Sequence, residues 1–110
     1  VIEDKILNVE LIKFRTDIDN LDKMMVKLLS RRKEIVEEIA YFKNKNQISI
    51  FQLERWFEIL RNRRRDAFDL GMNEKMIKEI FTLIHKYSII IQTEIMKNAN
   101  EKKLENKESK

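Results

Sequence analysis

An apolar stripe with helical spacing runs through the first part of the chain and constrains the fold more than any other feature. From Leu11 onward, alternating steps of three and four residues give ten heptad positions, and nine of them are hydrophobic. The ten positions are Leu11, Phe14, Ile18, Leu21, Met25, Leu28, Arg32, Ile35, Ile39 and Phe42. The chain has no proline, and its single glycine is Gly71, so nothing interrupts a helix before that point. The pattern predicts an all-α fold that opens with one very long helix.

Arg32 is the only stripe position that is not hydrophobic. A guanidinium group is rarely buried unless a carboxylate or an anionic ligand offsets the cost of removing it from water. An ion pair within the protein and a clamp on a ligand explain this residue equally well.

The length of the first helix predicts an assembly. The stripe indicates a helix from Glu3 or Asn8 to Lys43, and a helix of about 36 residues is about 54 Å long. A compact chain of 110 residues has a radius of gyration of only about 13 Å. Because the stripe stays apolar along the part that must project, we expect a second copy to cover it in an intertwined homodimer.

Two further helices follow, and capping signals predict where they begin and end. Ser49 and Gln52 have capping-box spacing, which places the start of the second helix at Ile50. Gly71 is a suitable residue just after its end, and Asn73 is a plausible N-cap for the third helix. Three helices are therefore expected.

The last residues differ in composition from the rest. From Asn98 onward the sequence NANEKKLENKESK is polar, which predicts a frayed or disordered tail. The expected organisation is a helical domain over residues 1–97 and a polar tail over residues 98–110.

Composition excludes several classes of function. The chain is 43% hydrophobic and 38% charged, with no apolar run of membrane-spanning length, and no signal peptide is expected. It has no cysteine and one histidine, so disulfides, thiolate chemistry and a zinc site built by the protein are not expected. The basic run from Arg61 to Arg65 lacks interleaved aromatic residues and lies near Asp66 and Asp69, which favours a solvated helix face over a nucleic-acid interface.

Three cations on the first helix are candidate ligand-binding groups. Arg32 and Lys43 are eleven residues apart, so they share a helix face with their backbones about 16 Å apart and could hold one small molecule. Arg15 lies about 25 Å before Arg32 and could reach such a ligand only from the other chain of a dimer. Solvated charge is the alternative for Arg15 and Lys43.

Polar residues on the other helices are less distinctive. Ser88 and Gln92 form an i, i+4 pair on an otherwise apolar helix, either bonded to backbone and water or facing a ligand. Arg55 lies among hydrophobic residues but could equally be on the surface. His85 is interpreted as a surface residue without a role.

Taken together, these residues resemble the AroQ-type, all-helical chorismate mutases over about Leu11 to Gln92. LIKFRTDIDNLDKMMVKLLSRRKEI is similar to the first helix of that family, and IFTLIHKYSIIIQ is similar to its last helix. Lys43 and Arg55 stand where the family has a catalytic lysine and a helix-2 arginine. The specificity comes from six positions in register without a gap.

The resemblance implies the Claisen rearrangement of chorismate to prephenate in aromatic amino-acid biosynthesis, by a cytoplasmic enzyme without metal, cofactor or covalent intermediate. Lys43 and Gln92 would face the ether oxygen, where negative charge builds as the C–O bond breaks. The carboxylates would be held by Arg32, Arg55 and Ser88, with Arg15 from the other subunit.

The sequence departs from the family at two positions. Trp56 and Gln52 stand where acidic residues are common in the family. The family's acid at the position of Trp56 contacts the ring hydroxyl of the substrate. Both are kept as candidate substrate-binding residues. The stretch FQLERWFEIL resembles mutase modules fused to 3-deoxy-7-phosphoheptulonate synthase, which implies such a domain as a fused or associated partner. The alternatives are a related isochorismate lyase, a non-catalytic oligomerisation or regulatory module, and a basic nucleic-acid-binding protein.

Overall fold

The computed structural model describes residues 2–108 and consists of three helices. They are α1 (Ile2–Lys45), α2 (Leu53–Asp69) and α3 (Glu74–Glu108). These residues include no strand, so the all-α prediction is confirmed, together with the very long first helix of 44 residues. No helix within residues 2–108 has the length and apolar character needed to cross a membrane.

Contacts within the chain divide it into two units, one up to Glu34 and one from Ile35 onward. The first unit is the greater part of α1. The apolar stripe is exposed there: Phe14 and Leu28, for example, keep 61% and 68% of their surface accessible. Side chains of this kind gain free energy when they leave water, so the first unit presents an apolar face that has no cover of its own.

The second unit contains the buried residues and is built from the end of α1 together with α2 and α3. Val36 and Ala40 are buried on α1, and Ile59 and Ala67 are buried on α2. The two buried residues of α3 are polar, Ser88 and Gln92. Buried polar groups cost free energy unless they are hydrogen-bonded. These two residues therefore indicate a candidate functional site on α3.

The connection between α1 and α2 differs from the prediction. The helix begins at Leu53 with Gln52 as N-cap, and no side chain caps it, so the proposed capping box of Ser49 and Gln52 is wrong. The physical reason lies in the loop. The carbonyl of Ile50 accepts a hydrogen bond from the Lys43 ammonium group, and Gln52 has extended backbone angles, which keeps these residues out of the helix.

The connection between α2 and α3 follows the prediction. Gly71 has a φ of +67°, and Met72 N donates to Ala67 O while Gly71 N donates to Phe68 O, the pair of bonds of a Schellman motif. Asn73 caps α3, since its Oδ1 accepts a 2.9 Å hydrogen bond from Met76 N.

Helix α3 continues into the polar segment as far as Glu108. Residues 98–108 are helical, where the sequence predicted a frayed or disordered tail. The segment contains neither glycine nor proline and is rich in lysine and glutamate, which favour helix even without burial. Residues 109–110 of that tail lie outside the described residues, and the domain boundary at residue 97 stays a prediction.

Candidate active site

Lys43 joins the end of α1 to α3. It lies in the last turn of α1, and its Nζ donates hydrogen bonds to Gln92 Oε1 at 2.9 Å and to Ile50 O at 2.7 Å. Both lengths are in the range expected when a charged donor meets a neutral oxygen. Two residues that the sequence placed at the same candidate site are thus in direct contact, although 49 positions separate them.

Gln92 and Ser88 are both buried, with 6% of each residue exposed, and they are bonded to each other along α3. Gln92 Nε2 donates to Ser88 O at 3.3 Å, and Ser88 Oγ donates to Ile84 O at 2.9 Å. The backbone alternative raised by the sequence is therefore correct for these bonds. Gln92 also bonds to Lys43, so Ser88 and Gln92 are connected to α1 as well as to the backbone of α3.

Burial changes the electrostatic environment of Lys43. Desolvation by burial lowers the pKa of Lys43 below its ordinary value of 10.5, because burial penalises the charged ammonium form. A partly desolvated ammonium group interacts more strongly with a developing negative charge than one in bulk water.

The donors at this site are not all used by the protein. An ammonium group has three hydrogens and a side-chain amide has two. Among the described residues, Lys43 uses two of its three in the bonds to Gln92 and Ile50, and Gln92 uses one of its two in the bond to Ser88. One hydrogen on each side chain is left for a ligand, so the arrangement can place two donors on a single oxygen.

The candidate residues at the start of α2 are near one another in sequence but have separate partners. Arg55 is exposed and forms an ion pair with Glu58, one turn further along the helix. The carbonyl of Gln52 accepts the Trp56 amide at 3.1 Å, and the Gln52 side chain is exposed. The structure does not place Arg55 in the hydrogen-bonded group around Lys43.

Arg15 and Arg32 belong to the first unit. Arg15 is exposed, and Arg32 is half-buried and engaged in interactions of its own. Their roles at a ligand site stay predictions.

His85 is a residue whose environment the sequence interpretation missed. It is half-buried rather than on the surface, and its ring stacks on Trp56 with centroids 4.3 Å apart and an interplanar angle of 16°. The interpretation as a surface residue is therefore wrong. Its spacing from Ser88 and Gln92, three and seven residues, was the available signal, because these positions share one face of a helix.

The basic run of α2 borders a groove that lies apart from the Lys43 group. This groove, of about 930 Å³, lies between α2 and the first turns of α3. It is lined by Phe57, Leu60, Arg61, Arg64, Arg65, Phe68, Glu74, Lys75 and Lys78. Arg64 reaches Glu74 at 3.7 Å, and Arg63 reaches Asp66 at 2.9 Å. Such partly exposed ion pairs are typical of a solvated face, the interpretation favoured by the sequence.

The described part of the chain has no cluster of side chains suited to binding a metal ion. Residues 2–108 contain no group of three or more His, Cys, Asp or Glu side chains that could hold a metal ion.

Comparison with known proteins identifies relatives of this chain. Residues 14–93 match the family described as chorismate mutase type II. A bifunctional chorismate mutase/prephenate dehydratase of Buchnera aphidicola subsp. Baizongia pistaciae is 34% identical over 97 residues, which cover 86% of this chain and 26% of that protein. The T-protein of Enterobacter agglomerans is 32% identical over 79 residues, covering 72% of this chain and 21% of the relative.

The chain spans about a quarter of the length of these curated relatives. The family match covers well over half of the chain and includes Lys43, Ser88 and Gln92. With the all-α fold and the contact between Lys43 and Gln92, this match shows that the chain belongs to the chorismate mutase type II family.

Proposed function

We propose that this chain catalyses the Claisen rearrangement of chorismate to prephenate, and that Lys43 and Gln92 are its catalytic residues. The observation that carries the proposal is the 2.9 Å contact between Lys43 Nζ and Gln92 Oε1 beside the buried Ser88. The reaction breaks an ether C–O bond and forms a C–C bond within one molecule, so it needs neither a nucleophile nor a general base. Its catalyst has to hold a compact conformer and stabilise charge on the ether oxygen.

The two remaining donors suit that oxygen. The third ammonium hydrogen of Lys43 and the second amide hydrogen of Gln92 would both bond to the ether oxygen as it becomes negative. Each donor nitrogen is held by the protein through another of its hydrogens, Lys43 Nζ by its bond to Ile50 O and Gln92 Nε2 by its bond to Ser88 O. Such preorganised donors cost little reorganisation during the reaction.

The two carboxylates of chorismate require cations and hydroxyl donors. We assign them to Arg32, Arg55 and Ser88, with Arg15 from a second subunit. Arg55 would exchange its partner Glu58 for the substrate, and the Ser88 hydroxyl would turn from Ile84 O toward a carboxylate. Gln52 and Trp56 remain candidate substrate-binding residues at the start of α2.

A homodimer accounts for the exposed stripe of α1. Among the first-unit stripe residues, Phe14, Leu21 and Leu28 are each more than half exposed. A second copy would bury these side chains and bring its own exposed Arg15 toward the site. Light scattering at micromolar concentration tests this proposal: twice the chain mass of 13.4 kDa is expected, and a folded monomer would contradict it.

The activity is tested by adding the protein to chorismate, following the loss of chorismate absorbance and identifying the product. Prephenate should form at a rate proportional to protein concentration. A parallel assay with isochorismate distinguishes the related lyase, because that reaction releases pyruvate. Binding of chorismate without turnover would favour a regulatory module instead.

Two wider expectations stay predictions. The resemblance of FQLERWFEIL predicts a fused or associated 3-deoxy-7-phosphoheptulonate synthase, whereas the relative from Buchnera carries a prephenate dehydratase in its name. Co-purification with the synthase would support the first. A cytoplasmic location is expected of an enzyme of aromatic amino-acid biosynthesis.

A further inference from the structure

His85 lies on the face of α3 that carries the candidate site. It precedes Ser88 by three residues and Gln92 by seven, which in an α-helix gives rises of about 4.5 Å and 10.5 Å with angular offsets of about 60° and 20°. Ser88 and Gln92 are buried and His85 is half-buried. The three side chains therefore form one polar row along the helix.

Two aromatic side chains hold the imidazole ring in place. Trp56 stacks on it at 4.3 Å, and Phe51 meets it in an edge arrangement with centroids 6.0 Å apart and an interplanar angle of 62°. Stacking covers a face of the ring, while the hydrogen-bonding nitrogens of an imidazole lie in its plane. The contacts thus fix the plane in which His85 can bond to a ligand.

The chemistry of the proposed substrate indicates which group His85 would meet. Chorismate has two carboxylates, an ether oxygen and a ring hydroxyl. Cations suit the carboxylates, and Lys43 with Gln92 suits the ether oxygen. The hydroxyl is neutral and both donates and accepts, which matches a neutral imidazole. The indole of Trp56 has one donor and no acceptor, so it matches the hydroxyl less well than the imidazole does. Its role is therefore to hold the imidazole ring.

We propose that His85 binds the ring hydroxyl of chorismate, and that Trp56 is the positioning residue for its imidazole. This inference rests on the proposed function. It assigns substrate specificity to the row His85, Ser88 and Gln92, with the ether oxygen toward Gln92 and the hydroxyl toward His85.

The test compares kcat/KM for chorismate and for an analogue whose ring hydroxyl is replaced by hydrogen. Each value is divided by the uncatalysed rate of the same compound. The native protein should prefer chorismate by about three- to tenfold, the effect of one neutral hydrogen bond. His85→Phe, which keeps an aromatic ring against Trp56, and His85→Leu should both reduce this preference to about one. His85→Gln should restore part of it, because an amide also donates and accepts.

Lys86→Ala, at the next and exposed position, is the matched control and should keep the native preference. The inference would be overturned if His85→Phe and His85→Leu kept the native preference for chorismate. It would also be overturned if Gln52→Leu lost that preference while the His85 variants kept it. Those results would leave the proposed function intact. A native protein that converts neither compound would overturn the proposed function and this inference together.

Discussion

Replacing Gln92 by glutamate tests the chemistry of the site through pH. The substitution keeps the size of the side chain but puts a carboxyl group at a position 2.9 Å from Lys43 Nζ. An ionised carboxylate can accept hydrogen bonds but cannot donate one, so it offers nothing to an ether oxygen that is becoming negative. We expect the variant to be active only in the fraction of molecules whose carboxyl group is protonated.

The size of the effect follows from ordinary acid–base equilibrium. An unperturbed glutamate ionises at about pH 4.3, so at pH 7 about one molecule in five hundred carries the proton. Burial at this position raises the pKa of the carboxyl group, and the Lys43 ammonium lowers it, so the two effects oppose each other. Turnover at pH 7 should fall by about 10²–10³ and rise about tenfold for each pH unit toward pH 5.

The assay is chorismate turnover by the native protein and by Gln92→Glu from pH 5 to pH 8. Because the native amide does not titrate, the native protein should not show this rise of about tenfold per pH unit toward pH 5. Gln92→Leu, which has no donor in either form, is the matched control and should be slow at every pH. A Gln92→Glu variant with a flat profile would refute the role of residue 92 as a donor.

Three further predictions concern pH, binding and stability. Lys43 has a lowered pKa, and only its protonated form has the charge and the third hydrogen for a ligand. The value of kcat/KM should therefore fall with rising pH at a value below 10.5, and an alkaline limb at or above 10.5 would contradict this. Arg32→Ala should reduce both chorismate binding and rate, while Arg61→Ala should change neither; unchanged activity per folded molecule in Arg32→Ala would identify a structural ion pair. Asn73→Ala removes the cap bond to Met76 N and should lower the free energy of unfolding by about 1 kcal/mol in urea titrations, whereas an unchanged midpoint would deny the cap a role.

The lowered pKa of Lys43 also affects stability. The unfolded chain binds this proton more tightly than the folded chain, so the free energy of unfolding should rise with pH between the lowered pKa and 10.5. Activity and stability therefore change in opposite directions over the same alkaline range.

The helices could be predicted from the sequence because their signals are local. Each of these signals determines the backbone only within a few residues of its own position. They are the spacing of the stripe, the absence of proline, Gly71 and Asn73. The start of α2 could not be predicted in this way. In the loop before it, Ile50 O accepts a hydrogen bond from Lys43, and a capping pattern carries no information about that contact.

The residues of the candidate site could also be predicted only where their signals are local. Lys43, Ser88 and Gln92 could be selected because they interrupt apolar patterns or match a family in register. The stack of His85 on Trp56 could not be predicted, since it joins α2 to α3, and the spacing of His85 from Ser88 and Gln92 indicates only that the three share a helix face. Arg55 pairs with Glu58 in the structure, and its assignment to a ligand stays a prediction from its position in the sequence.

Turnover by Lys43→Met is the most direct test of the proposed mechanism. Methionine keeps most of the bulk of lysine without its charge or its hydrogens, so the variant loses the donor and leaves the apolar packing of the stem. Because the interaction is made mainly in the transition state, kcat for the conversion of chorismate to prephenate should fall by about 10²–10³ with little change in KM. A correctly folded Lys43→Met protein that keeps near-native kcat would contradict the assignment of Lys43 and the mechanism built on it.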